Sequence, residues 1–130
     1  MIVDDNATWR EYLVSLIAGR AETLTCADGA EAVAAYVTYR PHTVLLDIEM
    51  PGTDGFTAAR QMIAQDPEAR IVIVTQHSQR RYQEAAARLG AVGLVGKEDL
   101  TRIEELLNHW TTRADGREAF KKSRQSTSSQ

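Results

Sequence analysis

Short apolar runs alternate along the chain with longer segments in which apolar residues recur every three or four positions. Short runs rich in valine, isoleucine and leucine and bounded by turn residues are typical of strands buried on both faces. The longer segments predict five amphipathic helices. Strict alternation favours an α/β fold, a doubly wound five-stranded parallel sheet with right-handed crossovers and helices on both faces. The predicted strands are 1–3, 23–26, 44–46, 71–74 and 91–95.

Cap and breaker residues predict several helix ends. Asp28 followed three residues later by Glu31 is the pattern of a capping box at a helix start. Pro41 ends that helix. The apolar stripe of that helix is Val33, Tyr36 and Val37. The apolar stripe of the last helix is Leu100, Ile103, Leu107 and Trp110.

Polar side chains follow four of the five predicted strands. In the strand order 2-1-3-4-5 these four strands are neighbours, and the crevice lies between the first and the third. Carboxylates packed together there repel each other, so some must bind a proton or a cation. Because no His or Cys stands among the oxygen ligands, the cation should be Mg²⁺ or Mn²⁺. The side chains in question are Asp4, Asp5, Asp47, Thr75 and Lys97.

Each of these side chains also has a plain structural explanation. Asp47 could be a turn former, and Asp4 and Asp5 a solvated loop. Thr75 could cap a helix, and Lys97 could be a surface residue. That all of these explanations hold at one edge of one sheet is less expected than a shared site.

Composition narrows the class of protein. The 130 residues, 43% hydrophobic and 25% charged, predict one globular domain. A single cysteine, Cys26, excludes an intrachain disulfide and fits a reducing compartment. No segment resembles a signal peptide or a membrane span, so we expect a cytoplasmic protein without a membrane partner.

The charge is uneven along the chain. Residues 111–130 hold five basic and two acidic residues, so with −3 for the whole chain residues 1–110 carry −6. A body this acidic argues against direct nucleic-acid binding. We therefore predict a folded domain over 1–110 and a polar tail over 111–130 that is disordered or begins a linker.

The motifs together resemble the receiver domain of two-component response regulators. The resemblance covers residues 1 to about 110, and it implies the flavodoxin-like receiver fold. It is specific because separated landmarks agree in type, order and spacing. They are the acidic pair Asp4 and Asp5, Asp47 with the following Pro51 and Gly55, Thr75 and Lys97.

The resemblance implies a mechanism and partners. Asp47 would accept a phosphoryl group from a sensor histidine kinase or a phosphotransfer protein. Mg²⁺ (or Mn²⁺) would be held by Asp5, Asp47 and the backbone carbonyl of Glu49, with Asp4 behind them. Lys97 and the hydroxyl of Thr75 would each bind a phosphoryl oxygen. The chain would catalyse only its own phosphorylation and dephosphorylation, and the resemblance allows a homodimer on phosphorylation.

Four positions depart from the family pattern. Only three residues precede the acidic pair, where the family usually has several more. Leu94 replaces the family's switch aromatic on the fifth strand. Gln76 and His77 follow the threonine, where a small residue is usual, and Glu98 stands where proline is common. We expect Leu94 to stay buried, which would make the fifth strand respond less than usual to phosphorylation.

Three other functions are compatible with part of this sequence pattern. A flavin-binding electron carrier would need a Ser/Thr/Gly-rich phosphate loop after the first strand, where two acids stand instead. An aspartate-nucleophile phosphatase would need a second Asp at the position of Glu49. A receiver-like docking scaffold that is never phosphorylated remains the alternative, although the complete set of site residues argues against it.

Overall fold

The computed structural model describes residues 1–76, 80–99 and 101–106. Strands and helices alternate throughout these ranges. The strands are β1 (Ile2–Val3), β2 (Thr25–Cys26), β3 (Val44–Leu46), β4 (Ile71–Thr75) and β5 (Gly93–Gly96). The helices are α1 (Ala7–Ile17), α2 (Gly29–Tyr39), α3 (Gly55–Gln65), α4 (Arg80–Leu89) and α5 (101–106).

All five strands join one parallel sheet in the order β2-β1-β3-β4-β5. The predicted fold class and strand order are therefore confirmed. The order in which the chain adds strands reverses at β1, because β2 lies on one side of it and β3 on the other. Val3 of β1 pairs with Leu46 of β3. The next residue on each strand is an aspartate, so this register alone brings Asp4 and Asp47 side by side.

The side chains of each central strand alternate between two apolar layers. One layer joins Val3, Leu46 and Ile73 to helices α2, α3 and α4. The other joins Ile2, Leu45, Val72 and Val74 to Leu13 of α1 and Ile103 of α5. Because both faces are covered, β3 and β4 are buried along their whole length, which explains their unbroken apolar sequence.

Several element ends differ from the sequence prediction. β2 begins at Thr25, two residues later than predicted, and β5 runs from Gly93 to Gly96. Helix α2 ends at Tyr39. Its C-cap Arg40 has a left-handed φ of 46° and donates its N–H to the carbonyl of Tyr36.

Val37 does not belong to the buried stripe of α2. Its side chain is 46% exposed, whereas Tyr36 is 2% exposed and Ala32 is fully buried. Ala32 and Tyr36 lie four residues apart and share one face, and Val37 lies about 100° further round the helix.

Some predicted features lie outside the described residues. They are His77, the helix positions Leu100, Leu107 and Trp110, and the tail 111–130. Among the residues that the structure describes, no helix has the length and apolar character needed to cross a membrane.

The loop from β3 to α3 passes very close to the backbone of Asp47. The N–H of Gly55 donates to the carbonyl of Ile48 at 2.8 Å. A Cβ atom at Gly55 would collide with the backbone carbonyl of Asp47 and the Cα of Ile48. Asp54 caps α3 by accepting from the N–H of Thr57 at 2.9 Å. Glycine is therefore required at position 55 for the loop to fold tightly behind the Asp47 carboxylate.

We predict that Gly55→Ala lowers the free energy of unfolding by about 1–3 kcal/mol or more, because backbone atoms must move to admit the methyl group. Gly93→Ala is the control, since a Cβ there meets nothing within 4 Å and its φ is not left-handed. That variant should match the parent chain or exceed its stability slightly. Urea unfolding measures both, and equal stability of the two variants would contradict the packing argument.

Candidate functional site

Three polar side chains are buried at the carboxyl edge of the sheet. Asp4 follows β1 and is 2% exposed, Asp47 follows β3 and is 6% exposed, and Thr75 ends β4 and is fully buried. Within the described ranges these are the polar or charged residues classed as buried. All three were predicted from the sequence as site residues. Buried polarity is thus concentrated at the one edge where α/β sheets bind their ligands.

Lys97 brings a positive charge to these carboxylates. Its Nζ lies 2.8 Å from Oδ2 of Asp4 and 3.6 Å from Oδ2 of Asp47. Its backbone N–H donates to the carbonyl of Thr75 at 2.7 Å, which ties the end of β5 to the end of β4. The side chain of Lys97 is only 14% exposed, so water screens its charge weakly. Lys97 therefore lies beside both aspartates in the structure, and its role toward a phosphoryl group stays a prediction.

Asp4 is held on several sides. Its Oδ1 accepts from the N–H of Asn6 at 2.9 Å, and its Oδ2 pairs with Lys97. Its backbone carbonyl accepts from Nη1 of Arg10 at 2.7 Å. With both carboxylate oxygens engaged, Asp4 fits a supporting position behind the other acids.

Asp47 lies in the centre of the site. Its N–H donates to the carbonyl of Val3 at 3.0 Å, and its carboxylate accepts from the N–H groups of Ile48 and Glu49. Burial, and next the negative charge of Asp4, raise the pKa of Asp47 from 3.8 to about 6. Lys97 and the two N–H groups oppose this rise. Asp47 is thus a carboxylate whose ionised form is costly in the folded protein.

The acids fit a hard cation. One carboxylate oxygen from each of Asp4, Asp5 and Asp47 lies within 4.8 Å of the others. Mg²⁺ binds oxygen ligands at about 2.1 Å, so a small inward movement of these side chains would suit it. Asp5 is exposed, which leaves its side chain accessible from solvent. Glu49 is also exposed and directly follows the site in the chain, and the role of its carbonyl stays a prediction.

Sequence reasoning missed two residues that contact the site. Arg10 binds the backbone of Asp4, and the ring centroid of Trp9 lies 5.2 Å from Nζ of Lys97. From hydrophobic periodicity alone, Trp9 is predicted only as part of the apolar stripe of α1. The available signal was its place in the first helical turn after the acidic pair, since that turn starts beside the site.

Three of the positions that depart from the family pattern are among the described residues, namely Gln76, Leu94 and Glu98. Leu94 is partly buried and packs against the layer that contains Ile73. Gln76 and Glu98 are exposed. We expected Leu94 to be buried, and the structure has it only partly buried. Its behaviour on phosphorylation stays a prediction.

Comparisons with known proteins agree with this geometry. The family described as the response regulator receiver domain matches residues 1–108. A two-component response regulator of the LuxR family from Aurantimonas sp. SI85-9A1 has a similar structure. Its TM-score is 0.73 at 34% identity, with 83% of each chain covered. The CheX–CheY–BeF3–Mg²⁺ complex from Borrelia burgdorferi matches with a TM-score of 0.72 at 26% identity, covering 81% of this chain and 85% of that one.

Curated relatives are longer proteins. A protein-glutamate methylesterase/protein-glutamine glutaminase from Anaeromyxobacter dehalogenans (strain 2CP-C) is 34% identical over 119 residues, which are 86% of this chain and 34% of the relative. The transcriptional regulatory protein DegU from Brevibacillus brevis is 31% identical over 101 residues, which are 75% of this chain and 43% of the relative. The chain thus spans less than half the length of these two proteins. The fold, the site and the family match agree, and the chain belongs to the receiver domains of two-component response regulators.

Proposed function

We propose that this domain accepts a phosphoryl group on Asp47 from a phosphohistidine of a sensor histidine kinase or a phosphotransfer protein, and so relays a signal. The observation that carries this proposal is the buried Asp47 carboxylate, 3.6 Å from the ammonium of Lys97 and within 4.8 Å of two further acids. A carboxylate that is costly to keep ionised and has a cation beside it is suited to act as a nucleophile.

The transfer follows from the arrangement of the residues. A carboxylate oxygen of Asp47 attacks phosphorus, and an acyl phosphate bond forms as the donor's nitrogen–phosphorus bond breaks. The electron pair of that bond returns to the imidazole of the donor. Lys97 and the hydroxyl of Thr75 bind phosphoryl oxygens as negative charge shifts toward the site.

The acidic cluster supports a role for a divalent cation. Mg²⁺ (or Mn²⁺), held by Asp5, Asp47 and the carbonyl of Glu49, would supply positive charge that offsets the charge of the phosphoryl group. Asp4 would act from behind, because its oxygens are already engaged by Asn6 and Lys97. That a family relative was crystallised as a CheX–CheY–BeF3–Mg²⁺ complex supports this assignment.

The cytoplasmic location of the protein and the pairing of its phosphorylated copies are also proposals. The buried Cys26 is a free thiol, which fits the reducing cytoplasm. Pairing of phosphorylated copies and the identity of any output domain depend on the whole protein. The docking scaffold remains the second candidate, and the first experiment below separates the two functions.

We predict that acetyl phosphate with Mg²⁺ adds one phosphoryl group to the chain and that Asp47→Asn abolishes the addition. Intact-mass spectrometry measures the change. Asp54→Asn is the matched control, because Asp54 is exposed and Asn caps a helix equally well. It should be modified like the parent chain. Failure of the parent chain to react with acetyl phosphate or any histidine-phosphorylated donor would favour the docking scaffold.

We predict that Mg²⁺ binds without a phosphoryl group and that Asp5→Asn weakens this binding at least tenfold, because one charged ligand is lost. Titration calorimetry or metal-dependent tryptophan emission gives the affinity. Asp28→Asn is a control, since Asp28 caps α2 through the N–H of Glu31 and is absent from the acidic cluster. An affinity that Asp5→Asn leaves intact would exclude Asp5 as a ligand.

We predict that Asp47→Asn stabilises the metal-free protein at neutral pH. The pKa of Asp47 rises from 3.8 to about 6 on folding, so the folded state binds more protons in this window and loses stability as pH increases through it. The gain in the variant should reach at most about 3 kcal/mol above pH 6 and should shrink toward pH 4. Urea unfolding with a metal chelator at both pH values provides the measurement. A gain that is independent of pH would show that ionisation of Asp47 is not the cause.

A further inference from the structure

We propose that Trp9 is a positioning residue for the phosphoryl transfer, and that its indole ring confines the Lys97 ammonium to the crevice beside Asp47. The inference rests on the function proposed above and adds a residue to its machinery. Its basis is the contact between the two side chains, whose Nζ-to-centroid distance is 5.2 Å. This lies within the range of about 6 Å over which a cation is attracted to an aromatic face.

The ring completes an enclosure around the ammonium. Lys97 meets Asp4 at 2.8 Å and Asp47 at 3.6 Å, and Trp9 closes a further side. A lysine side chain has four rotatable carbon–carbon bonds and its ammonium is strongly hydrated, so carboxylates alone do not keep it out of water. An aromatic face excludes water and still attracts the charge. The low exposure of Lys97, 14%, is consistent with this enclosure.

The position of Trp9 is determined by the chain that follows the acidic pair. The backbone N–H of Trp9 donates to Oδ1 of Asn6 at 2.9 Å, which caps the first turn of α1. Asn6 in turn donates to Asp4 through its own N–H. The ring of Tyr12 lies 5.3 Å from the ring of Trp9 at an angle of 33°. Cap and neighbour therefore fix the indole relative to the site.

The buried Nε1 of Trp9 is further support. Within the described part of the chain this N–H has no hydrogen-bond partner. Burying an unsatisfied donor destabilises a folded protein, and a leucine would fill the same apolar stripe without that cost. The ring's contact with Lys97 offers a reason for a tryptophan at this place.

Catalysis would benefit through preorganisation. During transfer the ammonium must already be near the phosphoryl oxygens, because reorganising a solvated lysine would add to the barrier. Without the ring, Lys97 samples solvent-directed rotamers and the fraction of productive geometry falls. The effect should appear in the rate of phosphorylation rather than in metal affinity.

The experiment compares Trp9→Leu, which keeps an apolar side chain but removes the aromatic face, with Trp9→Phe, which keeps a smaller face. With saturating Mg²⁺ and acetyl phosphate, Trp9→Leu should slow phosphorylation about threefold to tenfold, and Trp9→Phe should restore most of the rate. Mg²⁺ affinity should be unchanged in both variants. Leu13→Val is the matched control, since Leu13 is buried in the same helix and belongs to the same apolar layer. It should lower stability without slowing the reaction of the folded protein.

A second readout does not depend on phosphorylation. The ε-methylene protons of Lys97 should show ring-current shifts in the parent chain and in Trp9→Phe, and should lose them in Trp9→Leu. Unshifted protons in the parent chain, or equal phosphorylation rates for Trp9→Leu and the parent chain, would overturn the role of Trp9. Either result would leave the proposed function of the domain intact. A parent chain that takes no phosphoryl group but shows the ring-current shifts would overturn the proposed function. It would also overturn the positioning role of Trp9 in the transfer, although the contact between Trp9 and Lys97 would stand.

Discussion

The main physical constraint on this structure is the crowding of buried carboxylates against one ammonium at the edge of the sheet. Asp4 and Asp47 are almost fully buried, and Lys97 lies within 4 Å of an oxygen of each. Burial is the main cause of the raised pKa of Asp47, and the negative charge of Asp4 adds to it because one positive charge cannot fully offset two negative ones. The folded protein thus keeps a site that is unfavourable when empty of cations. That cost is typical of functional sites, where stability is given up for reactivity.

Packing on all sides of the central strands holds the acids in place despite this cost. Parallel strands on both sides of β3 and helices on both faces leave the end of β3 little freedom. The N-termini of α1 and α3 also lie at this edge, capped by Asn6 and Asp54. Helix N-termini carry partial positive charge, which favours anions nearby. The same end of the molecule therefore favours negative charge, which includes that of the resident carboxylates.

The opposite end of the helical layer is stabilised in a different way. The hydroxyl of Tyr36 donates to Oδ2 of Asp66 at 2.7 Å, and Nη1 of Arg40 lies 3.1 Å from the same oxygen. The hydrogen bond from Tyr36 is the main reason why the pKa of Asp66 lies below its usual value. This cluster ties the end of α2 to the end of α3 with charges that are satisfied. The negative charge of Asp66 is paired in this cluster, whereas negative charge exceeds positive charge at the site. This contrast supports a functional role for the excess negative charge at the site.

The sequence by itself determined the fold class, because strict alternation of apolar strands and amphipathic helices requires a parallel sheet covered by helices. The strand order is one of the common orders of such sheets. The structure brings the predicted acids together, and their roles stay predictions. Buried parallel strands must be apolar throughout, and the residue that ends such a strand must lie at the ligand-binding edge. Asp4, Asp47, Thr75 and Lys97 could therefore be predicted without coordinates. The predictions of the helix ends and of the burial of Val37 were less accurate, since one residue of rotation moves a side chain by about 100° around the helix.

Only the tertiary structure decided that Lys97 lies closer to Asp4 than to Asp47. It alone showed that the Trp9 ring lies 5.2 Å from the Lys97 ammonium and that Gly55 must lack a side chain. These features depend on distances of a few ångströms between residues far apart in the chain, and hydrophobic periodicity carries no information about such distances.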